Sequence, residues 1–188
     1  MNLRLSKIRQ RFERNHLHDP MVAVREQLTR LGHSIQPRAR IAIAVGSRGI
    51  DNLASTVRET VAYVKGRGAQ PFIVPAMGSH GGATADGQAE ALASYGVIEQ
   101  TVQAPVRATM EVVELKNGDL PIRVFMDRHA HESDGVILVN RVKPHTDFHG
   151  RYESGLMKMA LIGLGKQEGA LAIHRFGVAG LRELIEPG

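Results

Sequence analysis

The chain has 188 residues, with 24 Lys or Arg against 19 Asp or Glu, a formal net charge of +5, and 43% hydrophobic residues. That is apolar enough for a buried core and excludes wholesale disorder. Cysteine and tryptophan are absent and aromatics make up 4%, which removes disulfides, thiolate metal sites and cysteine nucleophiles and leaves little for stacking on nucleic-acid bases.

No run approaches the roughly 18 apolar residues of a membrane span. Met1 to Arg14 is basic but has no apolar core of a secretory signal. A soluble, cytoplasmic protein is the expectation. The positive charge is spread along the chain without interleaved aromatics, so neither nucleic acid nor membrane is an expected partner.

Residues 1–40 read as a helical or irregular extension, and residues 41–188 as the domain proper. Within the extension, Met21, Val22, Val24, Leu28 and Leu31 recur at helical spacing. Ile41 to Val45 is a short β-branched run of the kind buried on both faces in parallel sheets. Asp51 to Lys65 predicts a helix with Leu53, Val57, Val61 and Val64 on one stripe. Gln70 to Ala76 predicts a second strand. Thr84 to Tyr95 predicts a helix, with Thr84 as its N-cap and Gly96 as its stop.

Met110 to Leu115 and Pro121 to Phe125 flank Asn117-Gly118, which predicts a tight hairpin. Gly135 to Asn140 predicts another buried strand. Glu153 to Leu164, Gln167 to Arg175 and Ala179 to Ile185 then predict helical segments. This order predicts an α/β fold: a Rossmann-like, open, mostly parallel sheet with helices on both faces, plus a small hairpin.

Three polar loops, beginning at Gly46, Gly78 and Arg141, follow the C-terminal ends of predicted strands. Ligands of open α/β sheets bind in the crevice at those ends. Arg48, His80 and His145 are therefore expected to approach one another. Arg48 offers a planar fork for a carboxylate, although Gly46 to Gly49 alone could be a tight turn with a solvated arginine. Gly78-Ser-His-Gly-Gly82 lets backbone approach a ligand around His80, and it lacks the ending of a P-loop.

Asn140 to Gly150 holds two cations, His145, Asp147 and His149 directly behind a strand. Pro144 and Gly150 argue against a helix that would put both histidines on one face. Lys158 lies among Leu156, Met157, Met159, Ala160, Leu161 and Ile162. Either it reaches the surface from a core helix, or its apolar neighbours favour a neutral, nucleophilic amine suited to covalent attachment. His174, inside Ala-Ile-His-Arg-Phe176, reads by itself as a core histidine. His16, His18, His33, His129 and His131 read as surface residues.

The ordered blocks Ser47-Arg48, Gly78-Ser-His-Gly81, Lys143-Pro-His145, Ser154-Gly155-x-x-Lys158 and His174 resemble the N-terminal domain of the nickel-pincer lactate racemase family, over about Ile41 to Phe176. The resemblance implies a racemase or epimerase of a 2-hydroxy acid that acts by reversible hydride transfer to a lysine-tethered nickel-pincer nucleotide. By motif position it implies His80 and His145 as the acid/base pair and Arg48 as the holder of the substrate carboxylate. Lys158 would be the tether, His174 the nickel ligand with Lys158 beside it, and Ser47 and Gly155 further cofactor contacts. Family members continue into a second domain, which is expected to be missing from this chain.

Three features depart from the family pattern: Val45-Gly-Ser-Arg-Gly49, the longer stretch around Phe148 to Arg151, and Ser154-Gly-Leu-Met-Lys158. They imply a substrate other than lactate, such as a larger 2-hydroxy acid or a sugar acid, with His149 and Arg151 where specificity differs. Two other classes stand beside this reading. One is a zinc hydrolase using His80, His145 and His149 or His174, for which no His-Glu-x-x-His pair exists. The other is a non-catalytic nucleotide- or ligand-binding module. A homo-oligomer is compatible with all three.

Overall fold

The structure is a computed structural model and describes residues 6–11, 17–31, 34–47, 49–146 and 149–188. Its elements run α1 (Pro20–Leu31), β1 (Arg40–Val45), α2 (Leu53–Gly66), β2 (Gln70–Pro75), α3 (Ala85–Ser94), α4 (Glu99–Val102), β3 (Val112–Leu115), β4 (Val124–Asp127), α5 (Arg128–His131), β5 (Gly135–Val139), α6 (Leu156–Lys158), a π-helical turn (Met159–Gly163), α7 (Lys166–His174) and α8 (Gly177–Glu183).

β1 lies between β2 and β5, parallel to both. The register pairs Val45 with Pro75 on one side and with Val139 on the other. Alternation along the strands then builds two layers, because successive side chains point to opposite faces. Ile43, Val45 and Ile73 pack with Leu53, Val57 and Val61 of α2, Leu92 of α3 and Val102 of α4. On the other face Ala42, Ala44, Phe72, Val74 and Ala76 meet Ala130 of α5, Leu164 and Met159. Each fully buried Val or Ile contributes about 1.5–3 kcal/mol, so the central strand is fixed from both sides.

A third cluster joins the hairpin to the C-terminal helices through Ile122, Val124, Leu161, Ile162, Ile173 and Leu181. Within the extension, α1 packs onto the domain. Leu28 of α1 is buried, and Arg25 pairs with Glu59 of α2 at 3.0 Å.

The α/β class holds, but the described sheet has three parallel strands with a separate two-stranded antiparallel pair. It is smaller than the Rossmann-like open sheet the sequence predicts. β5 is half-buried along its whole length, in place of the fully buried strand expected; β2, at the other edge, is buried from Pro71 to Pro75.

The hairpin also differs. β3 and β4 pair antiparallel with Leu115 opposite Val124, so the chain from Lys116 to Arg123 connects them. Pro121 has no N–H to give a ladder, and the Asn117 side chain donates to the Ile122 carbonyl. The Asn-Gly pair therefore starts a longer loop. The predicted helix at Glu153 to Leu164 begins only at Leu156 and passes into the π turn, where the Leu164 N–H reaches the Met159 carbonyl at 2.9 Å.

Candidate functional site

The site is built where the three parallel strands end. Past β1, β2 and β5 the chain leaves the sheet through Ser47, Met77 and Asn140. These three line one cavity of about 280 Å³ with His80, Arg141, Lys143, Ser154, Lys158, Met159, Ile162 and Gly163. The strands end level, so their loops emerge side by side as the strand-end rule requires.

Two glycines let the fourth wall close. A Cβ on Gly163 would lie 2.2 Å from Met159 Sδ and 2.8 Å from the Ala76 carbonyl oxygen, so only glycine lets the π turn pack on the end of β2. The Gly78 N–H donates to the Gly163 carbonyl at 3.1 Å across that contact. Gly155 has φ +123°, and a Cβ there would meet Val142 at 3.1 Å. It lets Val142 pack closely against the start of α6. A π turn widens one turn of helix and is frequent at functional sites; here it directly follows Lys158.

Within the cavity, Ser47 is buried and its Oγ lies 2.8 Å from Nδ1 of His80. Lys158 is half-buried, and its Nζ is 3.3 Å from Nε2 of His145. His145 is fixed from behind. Its backbone N–H donates to Glu153 Oε2 at 2.8 Å, and the other carboxylate oxygen faces the Gly150 N–H at 3.3 Å and His149 Nδ1 at 3.2 Å. These contacts hold the Glu153 carboxyl below its ordinary value, the His145 N–H being the largest cause. The described residues lining the cavity include three cations, Arg141, Lys143 and Lys158, and no carboxylate. Such a lining attracts an anion.

The structure thus brings together Ser47, His80, His145 and Lys158. Gly155 stands at the start of α6, shaping the wall through its backbone. Arg48 lies outside the described residues. His174 is not brought in: it ends α7, exposed to solvent, neither in the core nor among the cavity-lining residues. His149 is 90% exposed, and Arg151 pairs with Glu186 at 2.8 Å on the surface. Among the described residues no three His, Cys, Asp or Glu side chains converge as a metal site. His129, read as a surface residue, is half-buried on α5.

One group that sequence reasoning missed lies beneath the cavity floor. Lys166, Gln88 and Asp127 are fully buried. Lys166 Nζ donates to the Pro75 carbonyl at 2.5 Å and to Gln88 Oε1 at 3.0 Å, and it stands 3.0 Å from Asp127 Oδ2. Burial pushes the Lys166 ammonium down, and Asp127 partly offsets this. Gln88 could have been found in the sequence, since it sits four residues before the buried Leu92 on the same helix face.

Comparison of the chain with protein families, with curated proteins and with solved structures finds no match.

Proposed function

We propose that this chain acts in the racemisation or epimerisation of a 2-hydroxy acid, with a nickel-pincer nucleotide tethered at Lys158 and with His80 and His145 as the acid/base pair. The observation that carries the reading is the meeting of these three side chains at the strand ends, His80 and Lys158 on one cavity and His145 bonded to Lys158. Lys158 fits the tether in place and chemistry, being an amine on the wall of a cavity. His174 fits a nickel ligand by type, since imidazole suits nickel, but not by its place on the solvent-exposed end of α7.

When bound, the nucleotide would supply a reversible hydride acceptor for the carbinol carbon of the substrate. The protein's own residues do the remaining work. Interconverting two enantiomers requires a base for the hydroxyl proton of each, and the site presents two histidines from different loops. Histidine titrates near neutrality and can serve as acid or base. The Ser47 hydroxyl holds Nδ1 of His80 and so fixes the orientation of the ring. Arg141 and Lys143 supply positive charge for a carboxylate. The Lys158–His145 contact puts the tethering amine and one acid/base group at the same end of the cavity.

The test is intact-mass and metal analysis of the chain produced together with proteins that make the cofactor. A nucleotide-sized adduct on Lys158 with accompanying nickel is expected, and Lys158→Ala should lose both. An unmodified chain from such cells, or an adduct that survives Lys158→Ala, would overturn the assignment.

A further inference from the structure

The 76–83 loop leaves β2, carries His80 and makes a short 3-10 turn at Gly81–Ala83 before α3 begins. A loop with three glycines has many alternative conformations, yet His80 must be held to keep Nδ1 on Ser47. What holds the loop from below is Gln88. Its Nε2 donates to the Gly78 carbonyl at 2.7 Å and to the His80 carbonyl at 3.3 Å, on either side of Ser79. Its Oε1 accepts from Lys166, which also binds the Pro75 carbonyl at the very end of β2.

Lys166 is in turn fixed. It begins α7 with φ +53°, fully buried beside Asp127 of β4. A primary ammonium has three donors, and here they face Pro75, Gln88 and Asp127. The same stretch of chain carries Lys158 eight residues upstream, across the π turn. The network therefore ties the segment bearing Lys158 to the loop bearing His80.

We infer that Gln88, anchored by Lys166, is a positioning residue that sets the His80 imidazole against Ser47 and fixes its place relative to Lys158. The inference rests on the proposed function only in treating His80 as an acid/base group. Bonds of this kind between buried polar groups specify one arrangement, and Asp127 Oδ2, without a hydrogen-bond donor among the described residues, serves Lys166 as its charge partner at 3.0 Å. Gln88 acts through backbone carbonyls and does not touch the cavity.

The test is made on the full chain labelled with ¹⁵N, with neither substrate nor cofactor. In the unsubstituted protein the two ring nitrogens of His80 should give well-separated resonances, and the Gln88 side-chain amide protons should exchange slowly with solvent. Gln88→Met removes both donated bonds at similar volume. The separation between the His80 resonances should then collapse by at least half, toward that of a freely averaging imidazole, while exposed His131 stays unchanged.

Gln88→Glu keeps the contact with Lys166 but cannot donate, and should give the same collapse should the methionine variant fail to fold. A folded variant with unchanged His80 resonances would overturn the inference, and so would rapid exchange of the Gln88 amide protons in the unsubstituted chain. Where the racemase reading also holds, kcat falls with KM unchanged. A collapse of the His80 resonances in a chain that takes up no adduct at Lys158 from cofactor-making cells would sustain the positioning role and sink the function.

Discussion

One carboxylate, Glu153, organises the loop behind the cavity by accepting the His145 and Gly150 N–H groups and facing His149. Because these contacts favour the ionised form, its folded value lies below the ordinary 4.5. Between the lowered value and 4.5 the unfolded chain binds more protons than the folded one. Stability from this group is therefore complete above 4.5 and is lost as pH falls through the folded value. Glu153→Gln should flatten that part of the acid limb in urea unfolding and speed amide exchange at His145 and Gly150 at neutral pH. If neither changes, Glu153 does not hold the loop. At this scale the sequence was informative about polar groups after strands, since His80, His145 and Lys158 stand out by type and position. It was silent on the Lys166–Gln88–Asp127 network, whose members lie 39 and 78 residues apart and depend on a left-handed lysine that no local pattern announces.

Elements were legible where one physical rule dominated. The β-branched runs at β1 and β2 became strands because helices and hairpin bury both of their faces. Thr84 caps α3 as expected, its Oγ1 accepting the Gly87 N–H at 3.1 Å. Elements became illegible where tertiary contacts outweighed local preference, as at the Lys116–Arg123 connection and at the π turn. The π turn exists because Gly163 lets it sit on Ala76, and a methyl there would collide with both Met159 and the Ala76 carbonyl. Gly163→Ala should cost about 1–3 kcal/mol through overpacking, measured as a lower urea midpoint at constant slope. A neutral result would show that the end of β2 and the turn are free to move apart. Because Lys158 adjoins the turn, cofactor loading at that lysine is the companion readout.

Across the whole molecule, protection from solvent should follow burial. β1 is paired on both sides and covered on both faces, β2 gains only an isolated bridge to Val106 on its outer side, and β5 pairs with β1 alone among the named strands. Native-state hydrogen exchange tracks such differences as separate opening units. The amides of Ala42 to Ala44 should exchange slowest, those of β5 faster, and those of the 141–146 stretch fastest. Exchange in β5 as slow as in β1 would mean that its outer edge is covered in solution. No described helix is long and apolar enough to cross a membrane.

The level register of the three parallel strands also bears on which changes of sequence the protein can survive. Val45, Pro75 and Val139 stand in one row, and Ser47, Met77 and Asn140 of the cavity follow one or two positions later. Exposed rim side chains such as Arg141 and Lys143 can be exchanged one at a time without moving the strands. Deleting a single residue inside a strand draws its loop back by roughly 3.3 Å and turns every following side chain to the opposite face. Chemical selectivity can therefore drift through point replacements, whereas strand length is a fixed gauge that every working descendant of this chain must keep.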